Sequence, residues 1–316
     1  MTMISDHWSE LVDPRVREAF YIGFSGGDRR ESFIPRLFDV RTSNRVDEKS
    51  LAIGGIGTGS WSLFEDAGRV SYSEPVKGYE KTFGHKQFAA GITVERKLID
   101  DNQIASALDE AGNLGDSAFR VREKAGANIF INGFSAATTE TLDDYGTNAV
   151  GSDAVALLST AHPRHAGDTG TTDSNEGTAA ITAANVATTR QNMMAFVDMN
   201  GDLLNVMPDE ILVPPELEDD ALIIVRSQQD PVSANNAINP QSGRFTVLTW
   251  HYLTDANAWF MMDSGRRRQY LRWYDRVPLE FAKEQDFDTL ISKWRAYMRW
   301  SLGWTDYRFI YGNNPS

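Results

Sequence analysis

Residues 88–134, FAAGITVERKLIDDNQIASALDEAGNLGDSAFRVREKAGANIFINGF, change periodicity once, and that change decides the fold. Phe88, Ala90, Ile92 and Val94 alternate with Gln87, Gly91, Thr93 and Glu95, which places apolar side chains on one face of an extended segment. From Ile99 onward the period lengthens. Ile104, Leu108, Ala111, Leu114, Ala118, Val121, Ala125 and Ile129 recur every three or four residues and form one stripe of an α-helix. Asp100, Asp101, Asp109 and Glu110 stand at its start and Arg120, Arg122 and Lys124 towards its end, charges that oppose the helix dipole. A helix from about 99 to 131 is roughly 50 Å long at about 1.5 Å per residue. Gly112, Gly115 and Gly126 each weaken it by on the order of 1 kcal/mol relative to alanine, so a bend or a close backbone contact is expected there. The pattern is that of a spine.

The segments before the spine lack apolar cover of their own. Residues 1–50 read as an arm, with a short amphipathic helix over His7–Phe20 broken by Ser25-Gly26-Gly27 and the charged DRRES run. Residues 51–98 read as a long glycine-punctuated hairpin, with a strand at Val70 and Tyr72 and another at Phe88–Val94, separated by SEPVKGYEKTFGHK. A two-stranded ribbon is marginal in water and needs another surface.

After the spine, residues 135–257 read as an α/β unit. DAVALLST predicts a strand, Thr182 caps a helix, Glu210–Val213 is a strand, Pro214-Pro215 opens a helix with acids in its first turn, and Arg244–Trp250 is a strand. Near the end, Trp294, Ala296, Met298, Trp300, Leu302 and Trp304 alternate with Lys293, Arg295, Tyr297, Arg299, Ser301 and Gly303. That is a half-buried strand near 40 Å long at about 3.3 Å per residue, and only the spine offers it a partner of that length. AWFMMDS (258–264) and RQYLRWYD (268–275) supply companion strands.

Composition narrows the function. No apolar run approaches a membrane span, and the amino terminus has no basic region followed by an apolar block. There is no cysteine, which excludes disulfides, thiolate metal sites and cysteine nucleophiles. A net charge of -13 argues against wrapping nucleic acid by general attraction. His162 and His165, with Asp168, have metal-ligand spacing, but no third histidine or cysteine follows and such loops commonly carry surface histidines. GGIGTG is not GxGxxG, and no GxSxG or paired carboxylates stand out. Arg266-Arg267-Arg268 reads as a solvated turn between strands. No catalytic residue, cofactor or metal ligand is assigned, and a metal-dependent enzyme using His162, His165 and Asp168 stays a minor alternative.

Polar arm, hairpin, spine helix, inserted α/β unit and long return strand together resemble the tailed-bacteriophage major capsid protein fold first seen in phage Hong Kong 97, an α+β fold. The segments YEKTFGHKQFAAGITVERKLIDDNQ (79–103), LLSTAHP (157–163), ILVPPELE (211–218), SANNAINPQSGRFTVL (233–248), YLTDANAWFMMD (252–263) and GWTDYRFIYGNNPS (303–316) are similar to the Mu-like major head subunit family.

The resemblance implies an N-terminal arm over 1–50, an E-loop with flanking strands over 51–97, a P-domain spine over 98–145, an A-domain over 146–254 and P-domain return strands over 255–316. It implies self-assembly through hexamers and pentamers into an icosahedral shell, with arm and E-loop covered by other copies. The E-loop candidates for inter-subunit contact are Lys77, Tyr79, Lys81, Phe83, His85 and Lys86. Glu216 and Glu218 are axial candidates, on an element (Pro214–Gln229) flanked by loops at 161–177 and 229–243. Expected partners are a separate scaffolding protein (the arm begins almost at Met1), a portal protein, in some shells a decoration protein, and packaged double-stranded DNA. The expected location is the virion capsid, assembled in the bacterial host cytoplasm. Some members cross-link an E-loop lysine to an asparagine; Lys77, Lys81 and Lys86 lie in that region, but solvated lysines are the simpler reading. An encapsulin-like bacterial compartment shares the fold and is the runner-up.

Overall fold

A strand that alternates tryptophan with charge folds only against an apolar partner of equal length, and that pairing sets the architecture. The computed structural model describes residues 5–26, 31–64, 70, 72–95, 97, 104–135, 153–168, 170–229, 238–286 and 291–315. In chain order the elements are α1 (Ser5–Ser25), α2 (Ile34–Leu37), β1 (Asp39–Thr42), β2 (Asp47–Ile53), β3 (Lys77–Gly84), β4 (Lys86–Val94) and α3 (Ile104–Ile131). There follow β5 (His162–Pro163), β6 (Thr172–Asp173), β7 (Glu176–Gly177), α4 (Ala183–Met194), β8 (Glu210–Val213), α5 (Glu218–Arg226), β9 (Thr246–Thr249) and β10 (Trp259–Met262). The chain closes with α6 (Ser264–Tyr270), β11 (Leu271–Gln285), β12 (Ser292–Trp304) and β13 (Ile310–Asn313). Among the described residues no helix is long and apolar enough to cross a membrane.

The spine is α3, 28 residues and about 42 Å long. Its expected start at residues 99–103, with Asp100 and Asp101, lies outside the described residues. At the far end of the helix the dipole argument does not hold. The last turn of α3 has no basic residue, and Arg120 and Arg122 pair with Asp116 and, at 3.1 Å, with Asp275. Along the spine runs β12, central in a four-stranded sheet of order β1-β11-β12-β4. Trp294 and Ala296 meet Ala107, Ala111 and Leu114, and further on Met298, Trp300 and Leu302 join Ala118, Ala125 and Ile129 in the main core. Phe88 of β4 stacks on Trp300 at 3.9 Å.

The second sheet has order β7-β13-β10-β8-β9. Both faces are covered. Ile211, Val213, Trp259 and Met261 face α4 and α5, while Leu212, Phe260, Met262 and Ile310 join the main core. This explains the unbroken apolar runs EILV and WFMM. Thr182 caps α4 by accepting from the Asn185 amide at 3.2 Å, as its position implies.

Four expectations need correcting. No strand forms at Val70 or Tyr72; the hairpin pairs β2 with β3, so KGYEKTFG is itself a strand, because the ribbon needs two similar runs to form a ladder. DAVALLST is irregular, since the Asn175 side chain, not a neighbouring strand, bonds the Leu157 carbonyl (2.8 Å) and the Ser159 amide (2.9 Å). AWFMMDS does not accompany β12 but forms β10, at the centre of the second sheet; β11 is the companion. Arg266–Arg268 lie in α6, and Arg267, 1% exposed, forks onto Glu210 at 2.9 and 3.0 Å and donates to the Arg36 and Leu37 carbonyls. A guanidinium with that many acceptors can stay buried.

The first helix also differs from expectation. It finds its cover on its own chain: Val16 and Phe20 are fully buried against α3, β11 and β12, and Phe20 stacks on Phe281 at 4.3 Å. The reason is the glycines. A side chain on Gly115 would collide with the Phe20 carbonyl oxygen and one on Gly23 with that of Gly112, so the two helix backbones approach where no Cβ intervenes. Gly115→Ala should therefore destabilise the subunit by about 1–3 kcal/mol. Gly112→Ala, whose Cβ would lie 3.7 Å from the Ala19 carbonyl oxygen, should be neutral or stabilising. Thermal unfolding of the two variants checks the pair.

Glu123 lies in the core of the spine, 1% exposed, and accepts from Ser32 Oγ at 2.5 Å, the Phe33 amide at 3.3 Å and Trp250 Nε1 at 3.1 Å. Burial pushes its pKa up, against the pull of those three donors. An acid raised in the folded state loses stability as pH rises from the ordinary glutamate value through the raised one, and the loss persists above it. Glu123→Gln keeps the hydrogen bonds and removes the charge. Melting temperature against pH should fall more steeply across that window for the native chain than for E123Q, which keeps the other buried carboxyls, whereas E123A should cost about 1–3 kcal/mol at any pH by stranding Trp250 Nε1.

Candidate inter-subunit surface

The hairpin is fixed at its root and bare beyond it. Thr58 donates its amide and its hydroxyl to Asp202, both at 2.6 Å, and Asn200 Nδ2 donates to the Gly55 carbonyl at 3.0 Å. A Cβ on Gly78 would strike Met199 and Ala52, so the ribbon lies closely on the turn that carries Asp198 to Asp202. The turn is built by Asp198, whose Oδ1 accepts from the Asn200 and Asp202 amides at 2.7 and 2.9 Å. Beyond the root, Trp61 is 85% exposed, Leu63 88% and Tyr72 93%, with Ile56 and Phe64 also exposed.

The six hairpin candidates divide. Tyr79, Lys81, Phe83 and His85 turn inward onto their own chain: Tyr79 donates to the His165 carbonyl at 2.6 Å, the Lys81 ammonium lies 5.8 Å from the Trp304 ring centre, Phe83 packs on Tyr274, and His85 Nδ1 meets Ser301 Oγ at 2.9 Å. Burial, reinforced by Asp153 and Asp168, pushes the Tyr79 hydroxyl up to about 12. Lys77 and Lys86 are exposed. Glu216 is exposed and Glu218 half-buried at the start of α5. Half of the 229–243 loop and all of 136–152 lie outside the described residues. Sequence reasoning missed the bare row at Ile56, Trp61, Leu63 and Phe64. Its signal was present, as apolar residues without either period in a glycine-rich run.

His162, His165 and Asp168 do not form a ligand set. His162 is fully buried, Nδ1 2.6 Å from Asp153 Oδ2, Nε2 3.1 Å from Asn175 Oδ1, and its ring stacks on Tyr307 at 3.8 Å. Asp168 accepts from the Gly170 and Thr171 amides of its own turn. Among the described residues no group of three such side chains could hold a metal ion. The cluster instead ties the 153–173 segment to the carboxy-terminal strand.

Thr58 holds the Asp202 carboxyl below the ordinary aspartate range through its hydroxyl first and then its amide. The root contact is thus fully present above the ordinary aspartate value and is lost as pH falls through the depressed one. Amide exchange protection at Thr58 should follow that course, and Asp202→Ala should leave it low at every pH.

Comparison with known proteins agrees with the geometry. A family model described as phage capsid protein matches residues 78–313. No curated protein matches the sequence. Among solved structures, the capsid of a native GTA particle aligns with TM-score 0.57 and 15% identity over 92% of each chain. The mature capsid of bacteriophage PhiM1 aligns with TM-score 0.55 and 12% identity, over 92% of this chain and 89% of that one. A virus-like particle from Pyrococcus furiosus aligns with TM-score 0.52 and 9% identity, over 95% and 98%. At such identities the structures establish the Hong Kong 97-like fold alone, and the family model separates phage capsid from compartment shell. With most of its length inside that model, the chain belongs to the phage capsid protein family and is a capsid shell protein.

Proposed function

We propose that the chain assembles through hexamers and pentamers into the icosahedral shell that encloses the double-stranded DNA of a tailed phage, and that it has no catalytic role. The observation that carries this is the bare apolar row of the hairpin, with Trp61 and Leu63 more than four-fifths exposed. Large apolar side chains left bare together in one short run mark an interaction site more often than scattered single ones do. Each such side chain covered by a neighbour contributes about 1.5–3 kcal/mol, and a shell repeats the contact at every subunit.

In this reading residues 51–97 are the E-loop, 1–50 the arm, 98–145 and 255–316 the P-domain and 146–254 the A-domain. The second sheet draws β10 and β13 from beyond residue 254, so these two share a continuous core. Lys77, Lys86, Glu216 and Glu218 face neighbours, while Tyr79, Lys81, Phe83 and His85 hold the hairpin in shape. Self-association is the principal partnership; a scaffolding protein, a portal protein and, in some shells, a decoration protein complete it. The shell is the virion capsid, assembled in the host cytoplasm.

Electron microscopy of the protein expressed alone and with its scaffold should show closed shells or capsomer rings; a uniform monomer under both conditions overturns the reading. Trp61→Asp with Leu63→Asp should leave subunit stability within about 0.5 kcal/mol of the native chain, because both sites are solvated, yet abolish shells.

A further inference from the structure

Two asparagine-glycine pairs occur in the chain, Asn132-Gly133 and Asn200-Gly201. Such a pair is chemically labile, because glycine has no Cβ to keep its backbone nitrogen away from the preceding side-chain amide carbon. The two stand in opposite surroundings. Gly133 is buried just beyond the spine, its amide donating to the Phe130 carbonyl at 3.2 Å, and Asn132 Nδ2 donates to Asn128 Oδ1 at 2.6 Å. Asn200 and Gly201 are exposed, in the turn that receives the hairpin root. Gly201 has φ 89°, which favours glycine, and a Cβ there would lie 3.3 Å from the Arg164 guanidinium, so the turn keeps its labile pair. The hairpin itself guards the reactive carbon: a Cβ on Gly57 would lie 3.1 Å from Cβ and 3.2 Å from Cγ of Asn200, so the hairpin backbone sits directly over that side chain. Asn200 Nδ2 stands between two acceptors, the Gly55 carbonyl at 3.0 Å and Asp198 Oδ2 at 3.2 Å. With the root docked, the amide is pinned and its carbon covered.

We propose that Asn200 is a deamidation site gated by the hairpin root, and that its conversion disables the root. When the root lifts, the Gly57 backbone and the Gly55 carbonyl leave the Asn200 side chain, which is then free to turn towards the Gly201 nitrogen. That nitrogen gives up its proton through water and bonds to Asn200 Cγ. The bond from Cγ to Nδ2 breaks, and ammonia leaves with the proton. Water then opens the five-membered imide at either carbonyl and yields aspartate or isoaspartate. The product puts a carboxylate oxygen where a donor stood between the Gly55 carbonyl and the Asp198 carboxylate, so two attractions become two repulsions. Loss of ammonia makes the change one-way. A subunit whose root stays lifted thus loses the anchor of the hairpin that carries its bare apolar row.

Peptide mass spectrometry of the full-length, unassembled subunit aged in mildly alkaline buffer tests this, with the urea-unfolded chain as reference and enzymatic methylation to identify isoaspartate. Both asparagines should convert in the unfolded chain, whereas in the folded chain Asn200 should convert and Asn132 stay intact. Thr58→Ala removes the hydroxyl bond to Asp202 and leaves residues 199–202 unchanged, so it should speed conversion of Asn200 about tenfold by raising the fraction of lifted roots. Asn200→Asp should lower amide-exchange protection at Thr58 about tenfold while protection along the spine stays native. Equal rates at Asn132 and Asn200 in the folded chain, equal rates in the native and T58A chains, or native Thr58 protection in N200D overturns the proposal. So does an Asn200 that stays intact in folded T58A over the time in which the unfolded chain converts. If T58A does not fold, the contrast of Asn132 with Asn200 in the native chain decides. None of these readouts needs a shell, so the test holds even where the shell reading fails.

Discussion

Packing of β12 on α3 is the contact from which the other parts take their places. Trp294, Trp300 and Trp273 are fully buried along it, and each large ring removes more apolar surface from water than an aliphatic side chain can. Arg122 shows how closely the seam is filled: its guanidinium lies 5.0 Å from the Trp273 ring centre while pairing with Asp275, so a charge on the spine is used to close the sheet rather than reach solvent. Because β12 is flanked by β11 and β4, fixing it on the helix fixes the four-stranded sheet. The root of the hairpin is fixed with it, through His85 on Ser301 and Phe83 on Tyr274.

The chain thus separates what it satisfies internally from what it leaves open. Arm helix, spine and both sheets share continuous buried clusters, with polar ties such as Arg267 to Glu210 answering the charges enclosed among them. The hairpin beyond Thr58 is the opposite: held at one end by Asp202 and Asn200, it presents tryptophan, leucine and tyrosine to water. An anchored root beside bare apolar side chains suits docking, since less conformational freedom would remain to be lost on covering them. The same division explains why the histidine cluster is structural. His162 is engaged by Asp153 and Asn175, Asn175 also donates to the Leu157 carbonyl, and the Tyr307 hydroxyl donates to Asp173, so the polar atoms of the cluster are used on neighbouring side chains and backbone.

Much of the fold was legible in the residues. The change of period after Val94 marks strand and spine, strict alternation from Trp294 to Trp304 marks the long strand, and Thr182 and Pro214-Pro215 mark helix starts, because each reflects a local geometric rule acting on neighbours in sequence. The hairpin was legible as an element needing cover, but not which of its residues are bare: Tyr79, Lys81, Phe83 and His85 read like surface residues of a loop and are buried or half-buried by partners more than eighty residues away.

By itself, then, the sequence determined the spine, the long strand and the acidic, cysteine-free character, since periodicity and composition depend only on which side chains follow one another. Tertiary structure alone decided that α1 lies on its own spine at Gly115, that Arg267 is buried rather than solvated, that WFMM enters the second sheet, and that His85, Arg276 and Arg299 each keep a buried nitrogen unmatched among the described residues. Each of these turns on a contact between residues far apart in the chain, where what matters is how closely backbones approach and whether a buried group meets an acceptor.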